Sequence, residues 1–121
     1  MKKILTFIIA ALSYTSYAGA QTKIPIDEVS EHRGEMVTVC DMLYSGKFIE
    51  KSKLTLIEMG GHDSKTKVII LINPADRKNF PAKPETFYER MDACITGKVV
   101  EFKGKPGIVV SKPSDIQIGT E

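Results

Sequence analysis

Apolar and polar positions alternate along most of this 121-residue chain, and the alternation predicts five strands. Over residues 36–44, Val37, Val39 and Leu43 fall on one side of an extended strand. Met36, Thr38, Cys40, Met42 and Tyr44 fall on the other. Asp41 shares the apolar side, and a bulge near Cys40 and Asp41 would resolve the misfit while bending the strand. A second strand is expected over 54–59, and a third over 67–72, where the run is almost continuously aliphatic. A fourth over 93–102 repeats the first pattern around Cys94, and a fifth covers 108–110.

Between these strands lie turn and helix signals. Residues 45–53 read as a polar loop containing Phe48. Gly60 and Gly61 open a polar turn, and residues 103–107 read as a hairpin loop. Residues 26–33 place acids early, His32 and Arg33 late, and Gly34 as a stop. This predicts one or two helical turns whose Ile26 and Val29 dock on the end of the sheet. Asn73 and Pro74 start a short helix over 75–79, and residues 85–89 add a further turn. The order strand, strand, strand, short helix, strand, strand predicts an all-β fold with short helices. That fold is a five-stranded Greek-key oligonucleotide/oligosaccharide-binding (OB) barrel, with the helix between strands three and four.

In such a barrel the first and fourth strands are neighbours, and Cys40 and Cys94 share outward parity. With two cysteines in the chain, a single pairing is possible, and a cross-strand disulfide is the expected state. A metal site on the two thiolates is the alternative. No further ligand stands at suitable spacing, so neither metal nor cofactor is expected.

The N-terminus changes how charge and compartment are read. Lys2 and Lys3, the apolar run from Ile4 to Leu12, and Ala18-Gly19-Ala20 have the layout of a cleaved export signal over residues 1–20. The run is shorter than the about 20 residues needed to span a bilayer. The expectation is one exported domain over residues 21–121, periplasmic or secreted, where an oxidising environment favours the disulfide. The chain carries 17 basic and 15 acidic residues. Without Lys2 and Lys3 the balance is 15 to 15, so bulk charge names no partner and only its local distribution can.

The strings Gly34-Glu35-Met36-Val37-Thr38-Val39-Cys40 and Tyr44-Ser45-Gly46-Lys47-Phe48 have a counterpart later in the chain. It comprises Ile95-Thr96-Gly97-Lys98-Val99, Gly104-Lys105-Pro106 and Ile108-Val109-Val110-Ser111. Together they resemble small exported bacterial proteins of the OB-fold type, similar to OB modules of secreted nucleases and DNA-binding proteins. The likeness runs over residues 24–118 and rests on strand and turn patterns, so it implies a fold more sharply than a ligand. Asp41 departs from it, since such strands commonly place a glycine after the cysteine.

In an OB barrel the ligand crosses strands two and three, between the first loop and the loop joining strands four and five. Here Lys47, Lys51 and Lys53 stand on one side and Lys103 and Lys105 on the other, with Tyr44, Phe48 and Phe102 at the loop roots. Lysines neutralise phosphates and aromatic faces stack on bases, which points to single-stranded nucleic acid or another polyanion. Against this, Glu50, Glu58 and Glu101 interleave with the lysines, and strands two and three carry aliphatic residues rather than rings. Phe80, Phe87 and Tyr88 are assigned to the core. A second reading is an envelope protein partner bound on the sheet face, because Leu54 and Leu56 lie opposite Ile57 and Met59. Catalysis is not expected. His32 and His62 sit in no catalytic motif, and Arg33, Arg77 and Arg90 are scattered. A metal at His62, Asp63 and Glu58 is outweighed by a simple polar turn.

Overall fold

The computed structural model describes residues 22–60 and 66–119. The proposed leader and the turn holding His62 and Asp63 lie outside the described residues. Two strands carry the architecture: β2 (Met36–Ile49) and β5 (Met91–Phe102). Between them come β3 (Leu54–Gly60) and β4 (Lys67–Ile72), and β6 (Lys105–Val110) follows. The strands run in the order β2-β3-β4-β6-β5, and β5 pairs back onto β2, closing a barrel. The pairing of β4 with β6 is parallel and the others are antiparallel. This is the expected OB barrel. Two short strands at the ends of the described chain add to it: β1 (Thr22–Lys23) beside β2, and β7 (Ile116–Ile118) beside β5.

Period-two alternation fills the interior. Val37, Val39 and Leu43 of β2 meet Ile57 and Met59 of β3, Ile70 and Ile72 of β4, Ile95 and Val99 of β5, and Ile108 of β6, all fully buried. The continuous aliphatic run of β4 has its reason in the structure. Ile70 faces the core, while Ile69 and Leu71 join Leu56 in a second apolar cluster on the outer face. A 3₁₀ segment (Ile26–His32) supplies Ile26 and Val29 to the core, as expected. Another 3₁₀ segment (Pro74–Asn79) and the single α-helical turn α1 (Pro84–Phe87) lie between β4 and β5. Phe80 and Tyr88 enter the core from this connection, whereas Phe87, expected beside them, is 47% exposed.

Two local readings are corrected. The bulge is not at Cys40 and Asp41, where β2 and β5 pair without interruption from Met36 to Leu43. Asp41 instead turns its carboxylate back to accept the Met42 N–H at 2.7 Å. The register shift falls between Leu43 and Gly46, so that Tyr44 and Ser45 together oppose Glu58 of β3. The segment read as a polar loop is mostly strand: β2 continues to Ile49, leaving a turn of residues 50–53. Gly46 permits this, since a Cβ there would lie 2.7 Å from the Glu85 carbonyl oxygen and 2.8 Å from that of Leu56.

Cys40 and Cys94 are direct cross-strand partners, joined by a disulfide. On the same face the hydroxyls of Thr38 and Thr96 are hydrogen-bonded at 2.8 Å. At the α1 side, Thr55 is the one fully buried polar residue among those described. Its hydroxyl accepts a hydrogen bond from Arg77 Nη1 at 2.5 Å, and Arg77 also donates to Glu85 Oε1 at 2.8 Å. The same guanidinium lies over the Phe48 ring, 4.1 Å from its centre. Burial pushes the Glu85 carboxyl up, but the Arg77 hydrogen bond, a backbone hydrogen bond and the charges of Arg77 and Lys83 outweigh it. The net position is below the usual carboxylate range.

Intact mass after alkylation without reduction is expected to show no modified thiol, and reduction should expose two. In the chain-entropy view, replacing both cysteines by alanine should cost about 4 kcal/mol in denaturant unfolding. Arg77→Met should raise the Glu85 pKa in an NMR titration and cost about 2 kcal/mol at neutral pH. Because the folded pKa of Glu85 is depressed, its contribution is present above the unfolded value and lost as pH falls through the folded one. The gap between wild type and Arg77→Met should therefore narrow below about pH 4.

Candidate nucleic-acid interface

Two hairpins stand on either side of the outer face of β3 and β4. The first joins β2 to β3. Its turn closes with Lys53 in the left-handed region (φ 64°) and the Lys53 N–H donating to the Ile49 carbonyl at 2.7 Å. The second joins β5 to β6 through Lys103 and Gly104 alone, since Phe102 pairs with Lys105. Both turn residues have positive φ, 50° and 82°, the geometry that suits the twist of a two-residue hairpin.

Between the hairpins runs an open groove of about 360 Å³. Its floor is aliphatic, formed by Leu56 of β3 and Ile69 of β4. These two pack with Leu71 and with the half-buried Ile49, Val100 and Val109, so the floor is rigid rather than a loose apolar patch. One wall is the bulged part of β2, with Ser45, Gly46 and Lys47. The other is Phe102, Lys103 and Lys105. The Lys103 ammonium lies 5.5 Å from the centre of the Phe102 ring, which holds a cation beside the one aromatic face in the groove.

Of the eight residues expected at a ligand site, Lys47, Phe102, Lys103 and Lys105 come together here. Lys47 does so from a strand rather than a loop, on the outer face opposite Leu56. Lys51 and Lys53 are exposed on the turn of the first hairpin and do not line the groove. Tyr44 is half-buried within the bulge, outside the lining. Phe48 points to the opposite side of β2, where Arg77 covers it.

The acids that argued against an anionic ligand separate in space. Glu101 forms an ion pair with Arg33 at 3.3 Å, and Glu50 is exposed on the hairpin turn. His32, hydrogen-bonded to Glu35 at 2.8 Å, also lies apart from the groove, and this contact raises its pKa. Glu58 is the single carboxylate in the lining, against three lysines. The local balance is therefore cationic although residues 21–121 are formally neutral. Ser45, Ile49, Leu56 and Ile69 were not among the expected site residues. The parity of Leu54 and Leu56 was the available signal, because it put an aliphatic pair on the outer face.

No protein-family model matches the chain, and no curated protein does. Solved structures do. A putative aspartyl-tRNA synthetase from Leishmania major Friedlin aligns with a TM-score of 0.58 and 15% identity over 93% of this chain and 23% of its own. The asparaginyl-tRNA synthetase from Pyrococcus horikoshii aligns with a TM-score of 0.56 and 15% identity, over 79% and 22%. The chain thus spans under a quarter of the length of either synthetase, and at this identity the likeness is one of fold.

Proposed function

We propose that this protein is an exported OB-fold module that binds single-stranded nucleic acid or a comparable polyanion and carries no catalytic residues. One observation carries the reading: Lys47 on one hairpin and Lys103 and Lys105 on the other face each other across an apolar floor beside Phe102. Cations at the rims suit a phosphate backbone, and a ring with aliphatic neighbours suits unstacked bases. The fold supports it as well, since the structural neighbours are by name tRNA synthetases. This support is analogy of fold, and the site supplies the chemistry. Export rests on the leader-like residues 1–20 and on the disulfide, which is at home in an oxidising compartment. The reading of a protein partner in the envelope draws on the same aliphatic strip. Its central residues are covered by one another, which favours a groove ligand over a flat contact.

Fluorescence anisotropy with labelled single-stranded DNA and RNA at several salt concentrations tests the reading. Three phosphate contacts predict a log–log slope of about −2, so affinity should fall about twentyfold between about 50 and 200 mM salt. Lys47→Glu and Lys105→Glu should each weaken binding and flatten the slope, while Phe102→Ala should cost about 1–3 kcal/mol with the slope unchanged. Absence of binding at low salt, with a protein recovered by crosslinking in the envelope, would overturn it in favour of the partner reading.

A further inference from the structure

Glu58 stands out in a groove otherwise suited to an anion. It rises from the same face of β3 as Leu56, next to Ile69, its partner on β4. It is half-buried, and among the described residues no ion pair holds its carboxylate. Opposite it, β2 bulges: Tyr44 and Ser45 take the place of one residue, and Ser45 lines the groove beside it. Bulges of this kind re-aim side chains next to binding sites. The lysines occupy the rims, so a bound strand would run its phosphates along the edges and turn its bases toward the floor, where the carboxylate is.

We infer that Glu58 selects the base, accepting hydrogen bonds from guanine in preference to uracil or thymine. This rests on the nucleic-acid reading above. An ionised carboxylate is acceptor-only, with two oxygens side by side. Guanine presents two adjacent donors on its Watson–Crick edge, the N1–H and an N2–H, which match those oxygens as a fork. Cytosine and adenine offer an amino group flanked by a ring-nitrogen acceptor. Uracil and thymine place one N3–H between two carbonyl oxygens that repel the carboxylate. Unstacked bases in single strands expose this edge, so an acceptor on the groove floor can read it.

Anisotropy of short oligothymidines whose central position is thymine, guanine, inosine, cytosine or adenine, at low salt, tests the inference. Wild type is expected to bind the guanine oligomer about tenfold more tightly than the all-thymine one. Inosine, which lacks the N2 amino group, should lose most of that preference. Glu58→Gln should tighten binding of the all-thymine oligomer by removing a like charge, and bring the guanine-to-thymine ratio close to one. The ratio within one protein preparation is independent of the fraction folded, so a damaged variant cannot imitate this result. An unchanged ratio in Glu58→Gln, or equal tightening on every oligomer from a wild-type ratio near one, would overturn the inference while leaving nucleic-acid binding intact. Failure of both proteins to bind any oligomer would instead remove the nucleic-acid reading itself, and this inference with it.

Discussion

One strand has to serve two ladders. The first half of β2, from Met36 to Leu43, is paired to β5, and its second half, from Leu43 to Ile49, is paired to β3. A flat strand cannot hold both neighbours on a closed surface as small as this one, so β2 must coil and bend. The bulge at Tyr44 and Ser45 supplies the bend just after Leu43, which is fully buried and belongs to both ladders. The parallel pairing of β4 with β6 depends on it. No short connection brings those strands together, and they meet only because β3 and β5 are already registered on the two halves of β2. The Cys40–Cys94 disulfide crosses the first half of the same strand, which ties the covalent link to the ladder on which closure rests.

The bend that closes the barrel also shapes the groove. Ser45, Gly46 and Lys47 follow the bulge directly and form one wall. Gly46 lets α1 press against the strand from one side, and Lys47, the next residue, faces out on the other. Charges are sorted by the same geometry. Glu85 is held by Arg77 beside α1 and Glu101 by Arg33, so neither reaches the groove. The three lysines are thereby left facing each other with Glu58 as the single acid between them. Strand parity places two of these acids: Glu58 is on the outer face of β3, whereas Glu101 follows the inward row of β5 past the edge of the core.

The aliphatic character of the outer face has a structural cause too. The second cluster around Leu56, Ile69 and Leu71 is covered from the hairpins by Ile49, Phe102 and Val109. It packs the central strands together beneath the groove. The groove is lined by a single aromatic ring, Phe102, because Phe48 is taken up by Arg77 and Tyr88 by the core.

The sequence by itself determined the inner row of β2 through alternation, the limits of β4 through its aliphatic run, the pairing of the first and fourth main strands through the order of elements, and the partnership of Cys40 with Cys94 through cysteine number. These signals are local or countable. The continuation of β2 through Ser45, Gly46 and Lys47 was not legible, because a strand with glycine inside and lysine outside has no apolar signature. Nor could the chain show that the bulge lies opposite Glu58 rather than at Asp41, since a misfit of parity and a side chain folded onto its own backbone look alike in one dimension. Tertiary structure alone decided which lysines meet, that Phe48 belongs to Arg77, and that Glu58 stands between the hairpins. Those relations join residues far apart in the chain, and they are set by the register of whole strands rather than by the composition of any one segment.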